Sequence, residues 1–244
     1  MIKRLLIVLV LAAVGFGLFP LIWGIQDAQL LSPVAAHYVK NGVQELGAAN
    51  LVTAVVVSYR GLDTFGEVAV LFAATAGITM LLGAGIVNTE KKGSLKDSGA
   101  RQPGSRRERR DGSELLKTGA ALLFPMMFLF GIYIFMNGHI TPGGGFQGGV
   151  VIASAVVLLL LAASDRSLRT GLLHAAEALS GAAYAAVGLL GLWLAAGFLD
   201  PRFLPSGEFG AFFSAGAIPL IYSLIGMKVG SELTGVVDSL RRRA

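Results

Sequence analysis

The chain has 244 residues, 54% of them apolar and only 14% charged, with three histidines and no cysteine; its mean hydropathy is +0.69. That composition points to the bilayer rather than to a soluble domain. The absence of cysteine excludes disulfides, thiolate metal sites, Cys-ligated Fe–S clusters and Cys nucleophiles. The wide spacing of His37, His139 and His174 argues against a histidine-built metal or haem site within the chain.

A membrane-crossing helix needs roughly 20 mostly apolar residues. Six segments qualify, at about 5–25, 65–87, 117–136, 147–163, 175–197 and 212–236. The first is longer than the roughly 7–15-residue apolar run of a secretory signal, so it reads as a retained anchor. Segment 46–59 is apolar but short; it carries Asn50 and ends in Ser58-Tyr59-Arg60.

The net charge of +5 comes from 20 Lys and Arg against 15 Asp and Glu. The basic residues flank apolar spans, which topology explains better than nucleic acid does. With six spans and the N-terminus inside, the cytoplasmic side holds Lys3, Arg4, the 88–117 segment, Arg166, Arg169 and Arg241 to Arg243, while the outside keeps only Lys40, Arg60 and Arg202. Counting 46–59 as a crossing would reverse that balance, so it reads as an interfacial or half-embedded helix. The expected fold is an all-α polytopic membrane protein with about six transmembrane helices and both termini cytoplasmic, in the cell inner (cytoplasmic) membrane. Residues 88–114 are rich in Gly, Ser, Lys and Arg and bury too little apolar surface to fold alone. They predict a cytoplasmic linker between a two-span unit, 1–87, and a four-span unit, 115–244. Pro20, Pro125 and Pro219 fall inside predicted spans, where prolines kink helices and free carbonyls.

Along Tyr59-Arg60-Gly61-Leu62-Asp63-Thr64-Phe65-Gly66-Glu67, Asp63 or Thr64 can cap the following helix, and Glu67 suits the positive end of its dipole. The alternative is functional: Glu67 as a proton site in the bundle, guarded by an Arg60–Asp63 ion pair. Gly138-His139-Ile140-Thr141-Pro142-Gly143-Gly144-Gly145-Phe146-Gln147-Gly148-Gly149 joins two apolar runs. It lacks the Gly-Lys-Ser/Thr ending of a phosphate-binding loop. It is either a tight reversal, with Pro142, Gly143, Gly144, Gly145, Gly148 and Gly149 allowing close packing, or a mouth whose exposed backbone and His139 pass cations or protons.

His174 and Glu177 stand three apart at the cytoplasmic start of the fifth span, as an interfacial ion pair or a point of proton access. Gly181, Gly188 and Gly191 give that span a small-residue face suited to close packing. Lys228 and Glu232 stand four apart and share one face of the sixth span. Lys228 is expected about 12 Å from the helix end, part of which a lysine can snorkel. Burying both charges is costly, so the pair is either an ion path or a packing device.

With these motifs in view, residues 115–236 resemble the B subunit of the multisubunit Mrp-type sodium/proton antiporter and its membrane-bound hydrogenase equivalent. The likeness rests on Gly138 to Gly149 and on Ile225-Gly226-Met227-Lys228-Val229-Gly230-Ser231-Glu232-Leu233. Residues 46–87, with Asn50-Leu51-Val52-Thr53-Ala54-Val55-Val56-Val57, Tyr59-Arg60-Gly61 and Asp63-Thr64-Phe65-Gly66-Glu67, resemble the C-terminal tail of the antiporter's large A subunit. In the hydrogenases that tail is similar to a separate small protein. Here it is joined directly to the B-like unit with no large antiporter core before it, which leans toward the hydrogenase-like branch.

The resemblance implies a non-enzymatic accessory subunit of a sodium/proton translocation module, allied to the membrane arm of respiratory complex I. It implies ion or proton roles for Asp63, Glu67, His139, Lys228 and Glu232, with His174 and Glu177 added from their charge. Any sodium would sit near Thr64 and Glu67 on oxygen ligands. The chain itself is expected to hold no cofactor; Fe–S or nickel–iron centres would belong to redox-arm partner subunits, beside other antiporter-module membrane subunits. Two further readings stand beside this one. One is a structural subunit that packs antiporter-like subunits together without carrying ions. The other is a stand-alone transporter, weakened by the lack of an inverted repeat.

Overall fold

The computed structural model describes residues 2–27, 31–94, 113–163 and 168–242. Most of the predicted basic linker, and Arg166, lie outside the described residues. The described chain is helical, without strands. In lipid every backbone polar group must be satisfied internally, and helices do this within each segment.

The chain divides into two compact units, Met1–Asn41 and Gly42–Ala244. The first unit contains α1 (Ile2–Asp27), with Pro20 inside it, and the opening turns of α2 (Pro33–Leu46). The Ser32 side chain accepts from the Ala35 amide at 3.2 Å and so caps α2. The apolar stretch described in α1 is Arg4–Pro20.

The second unit continues with α3 (Leu51–Thr53), which passes into one π turn (Ala54–Tyr59), and with α4 (Gly61–Ser94), α5 (Glu114–Met136), α6 (Gly145–Ala162), α7 (Thr170–Leu194) and α8 (Ile218–Arg241). Five of these stretches, Gly61–Leu82 and the whole of α5 to α8, are long and apolar enough to cross a membrane. Predicted spans and helices agree in number and order for these five. Segment 46–59 supplies only the short α3 and π turn, about 13 Å at 1.5 Å per residue, too little to cross.

One boundary moves at the start of the last span. The predicted sixth span opened at 212, but residues 204–217 form turns and α8 begins at Ile218. A Cβ on Gly216, at φ +59°, would lie 2.3 Å from the Pro201 carbonyl oxygen, so this apolar stretch is held as a folded loop. Pro219 consequently sits in the first turn of α8, where its missing N–H costs nothing, rather than inside a span. Pro125 does lie within α5.

α8 is the centre of the unit. It packs on α6 and α7 most extensively and also on α4 and α5, and 61% of its apolar window is buried, against 11% for α4. Packing is backbone-close where α5, α6 and α8 meet. A Cβ on Gly148 would stand 2.6 Å from the Gly131 carbonyl oxygen, and one on Gly149 would stand 2.8 Å from that of Gly226.

Candidate functional site

The hairpin 137–144 between α5 and α6 is fastened by the short segment that precedes α4. Asn50 Nδ2 donates to the carbonyls of Gly138 at 2.9 Å and Thr141 at 3.0 Å, and the Asn50 amide donates to the His139 carbonyl at 3.0 Å. The Thr53 hydroxyl donates to Gly138 O at 2.6 Å and accepts from Tyr222 Oη at 3.0 Å. Asn50 also caps α3 through Oδ1. A segment too short to cross is therefore the clamp on the glycine turn. Sequence reasoning missed Asn50, Thr53 and Tyr222 as a network; the one signal was a polar Asn inside an apolar run.

His139 is fully buried in this clamp. Its Nε2 lies 3.4 Å from the Ala211 carbonyl, and Nδ1 has no hydrogen-bond partner among the described residues. Desolvation lowers its pKa below the ordinary 6.5, against the opposing pull of the Ala211, Phe212 and Met136 carbonyls. Within this chain the ring is covered, and its burial favours the neutral form. The loop from α7 to α8 is tied by Asp200, whose carboxylate accepts from the Ala196 and Arg202 amides and the Arg202 guanidinium. Burial alone would raise the Asp200 pKa, but these hydrogen bonds outweigh it and hold it below the usual value.

The Asp63–Glu67 motif lies at the start of α4. Asp63 pairs with Arg60, with both side chains more than half exposed, and Glu67 is exposed on the surface of the chain. Thr64 is buried, and its hydroxyl donates to Val56 O at 2.6 Å. No group of three or more His, Asp or Glu able to hold a metal occurs among the described residues.

Charge is concentrated elsewhere, where α4, α7 and α8 meet. Lys228 Nζ donates to Glu232 Oε2 at 2.7 Å, and the other carboxylate oxygen accepts from the Thr75 hydroxyl of α4 at 2.6 Å. Lys228 is 5% exposed and Glu232 2%. The Nζ also lies 5.4 Å from the centre of the Phe72 ring. Because α8 runs on to Arg241, Lys228 is about 15 Å from one helix end and about 20 Å from the other at 1.5 Å per residue. It stands farther from the helix end than the predicted span suggested. Thr75 was not singled out from the sequence; a hydroxyl in an apolar span was its only signal.

Two cavities open beside this pair. One, of about 560 Å³, is walled by apolar side chains of α4 and α7 and reaches Lys228, Glu177 and His174. The other, of about 240 Å³, is bordered by Thr75, Thr79, His174, Glu177, Glu232 and Ser239. The structure thus brings four sequence candidates together, His174, Glu177, Lys228 and Glu232, and leaves Asp63, Glu67 and His139 outside the group. His174 Nδ1 and Glu177 Oε2 are 3.8 Å apart, a loose pair. Toward the basic end of α8, buried Asp238 accepts from Arg241 at 3.3 Å and from Arg242 at 2.7 Å. Arg242 also donates to Leu168 O at 3.2 Å, tying α8 to the residues before α7.

Comparison with known proteins finds likenesses over two parts of the chain. Residues 115–235 match the domain related to the MnhB subunit of Na+/H+ antiporter. Residues 2–84 match MbhE, the E subunit of MBH. Over 98% of both chains, this protein is 39% identical to a chain of the membrane-bound sulfane sulfur reductase (MBS), an archaeal respiratory membrane complex, with a TM-score of 0.71. The chain belongs to the family of that subunit, with an MbhE-like part followed by an MnhB-related domain. The MbhE match reaches back to residue 2, so α1, which the resemblance in sequence left aside, is part of the family pattern. The MnhB-related fold also occurs in a chain of the Mrp complex from Dietzia sp. DQ12-45-1b, with a TM-score of 0.71 and 24% identity over 98% of this chain and 26% of that one. The Probable K(+)/H(+) antiporter A/B subunit of Rhizobium meliloti (strain 1021) is 24% identical over 156 residues; the aligned part spans 16% of that longer protein.

Proposed function

We propose that the chain is an accessory subunit of a multisubunit cation/proton antiporter module in the cell inner membrane, and that the Lys228–Glu232 pair is part of its ion path. The observation that carries this reading is a lysine and a glutamate buried near the middle of an apolar helix, held by Thr75 and bordered by two cavities. Charges at that depth are expensive and are kept where charge moves. Glu232 is the acceptor, Lys228 sets its charge state, and His174 and Glu177 give access from the basic end. Asp63 and Glu67 lie on the exposed side of α4, where a neighbouring subunit would cover them; a sodium near Thr64 and Glu67 would need ligands from that neighbour, since the Thr64 hydroxyl is engaged with Val56 O. The likeness to a chain of a respiratory membrane complex over nearly the whole of both chains supports a redox-driven module, with any Fe–S or nickel–iron centres in partner subunits.

A second reading, a packing subunit that carries no ions, is favoured by the backbone-close glycine contacts of α5, α6 and α8. Sodium/proton exchange in vesicles holding the complex separates the two. Glu232→Gln and Lys228→Ala should abolish exchange while the complex still assembles. Full exchange in either variant would leave the packing role alone. Mass spectrometry of what co-purifies in mild detergent identifies the partners.

A further inference from the structure

Lys228 shares a cavity with a second carboxylate. Glu177 and Lys228 line the same cavity, and Glu177 and Glu232 line the next. Glu177 is therefore the one carboxylate that borders both spaces. Its side chain is 21% exposed, and its ion-pair contact is to His174 at 3.8 Å, too long for a hydrogen bond. Glu232, by contrast, is fixed by Lys228 and by Thr75.

Gly181 lines the cavity that Glu177 and Lys228 share. This residue is one turn from Glu177 on the same face of α7, so a Cβ there would lie about 6 Å from that of Glu177. The same Cβ position is 3.4 Å from Lys228 Cε and 3.6 Å from Cδ. The lysine stem rests against the bare backbone of Gly181 and its ammonium pairs with Glu232, while Glu177 borders the same cavity. A larger residue at 181 would occupy the space the stem must cross.

We propose that Lys228 exchanges carboxylates, pairing with Glu232 in the state seen here and swinging past Gly181 to Glu177 in a second state. This rests on the ion-path reading above. The ammonium keeps its proton throughout. When it leaves Glu232, that carboxylate keeps its Thr75 hydrogen bond and takes up a proton or a monovalent cation from the smaller cavity. When it returns, the incoming positive charge expels that ion, and Glu177 becomes the site that must be neutralised. Glu177 is thus the alternate partner and Gly181 a positioning residue.

The cysteine-free sequence permits a reversible test. Gly181→Cys is introduced into the complex, which is treated with a bulky methanethiosulfonate reagent and then with reductant. The treated wild-type complex and Leu179→Cys, at an outward position 71% exposed, serve as controls. We expect modification of Gly181→Cys to lower sodium/proton exchange at least tenfold, reductant to restore it in the same sample, and the controls to be unmoved. Glu177→Gln should lower exchange to the same extent. Recovery by reductant excludes a folding defect. Unchanged exchange in modified Gly181→Cys, or full exchange in Glu177→Gln, overturns the exchange of partners. If Lys228→Ala is inactive in that same series, the ion-path reading survives that failure; if Lys228→Ala is fully active, both fall.

Discussion

Removing one member of the Lys228–Glu232 pair should be far more damaging than removing both. At the observed 2.7 Å the gross attraction is about 6 kcal/mol with an effective dielectric constant near 20. The Thr75 hydroxyl adds about 1.5–3 kcal/mol, as a hydrogen bond to a charged group. Against this stands a desolvation cost of several kcal/mol for each ion, so the net value of the pair is small. A single replacement forfeits the attraction while leaving the other charge buried, which costs about 3–5 kcal/mol. Lys228→Met and Glu232→Gln should each lose about that much stability, and the double variant should lose less than either. Denaturant unfolding of the purified chain in detergent, followed by tryptophan fluorescence, gives the four values of the cycle. Single losses that simply add in the double variant would mean that the two charges do not interact, and the ion-pair argument would be refuted.

Four other outcomes follow from the geometry. Asn50→Ala removes two side-chain bonds to hairpin carbonyls and a helix cap, and should cost about 2–4 kcal/mol in the same unfolding measurement, with faster proteolysis near 138–144. Gly148→Val would drive side-chain atoms into the Gly131 carbonyl and Phe135, so the protein should fail to accumulate in membranes, while Gly119→Val, with open space around it, should accumulate normally. Because burial lowers the His139 pKa, the unfolded chain binds a proton that the folded chain refuses as pH falls below about 6.5. Stability is full above that pH and declines below it until the folded ring is itself protonated; His139→Gln should flatten that part of an unfolding-versus-pH curve. Asp238→Asn weakens two arginine contacts and should cost about 1–3 kcal/mol, read again by unfolding.

Membrane character, five of the crossing helices and the positions of the motifs were legible in the sequence, because hydrocarbon thickness imposes a minimum apolar length that needs no tertiary information. The one-sided distribution of Lys and Arg likewise distinguished the 46–59 segment from a span. The start of α8 was not legible. Phe212 and Phe213 are as apolar as a helix requires, and only the folded structure shows that they belong to a loop. Lys228 and Glu232 could be paired from their spacing alone, since residues four apart share a helix face. Their depth followed from the true end of α8. Thr75, Glu177 and Gly181 joined them only when α4 and α7 packed on α8, and the clamp of Asn50, Thr53 and Tyr222 on the glycine hairpin joins residues about 90 to 170 positions apart. Local periodicity dictates which residues share a face; which faces meet is decided by the close packing of whole helices, which one segment read alone does not contain.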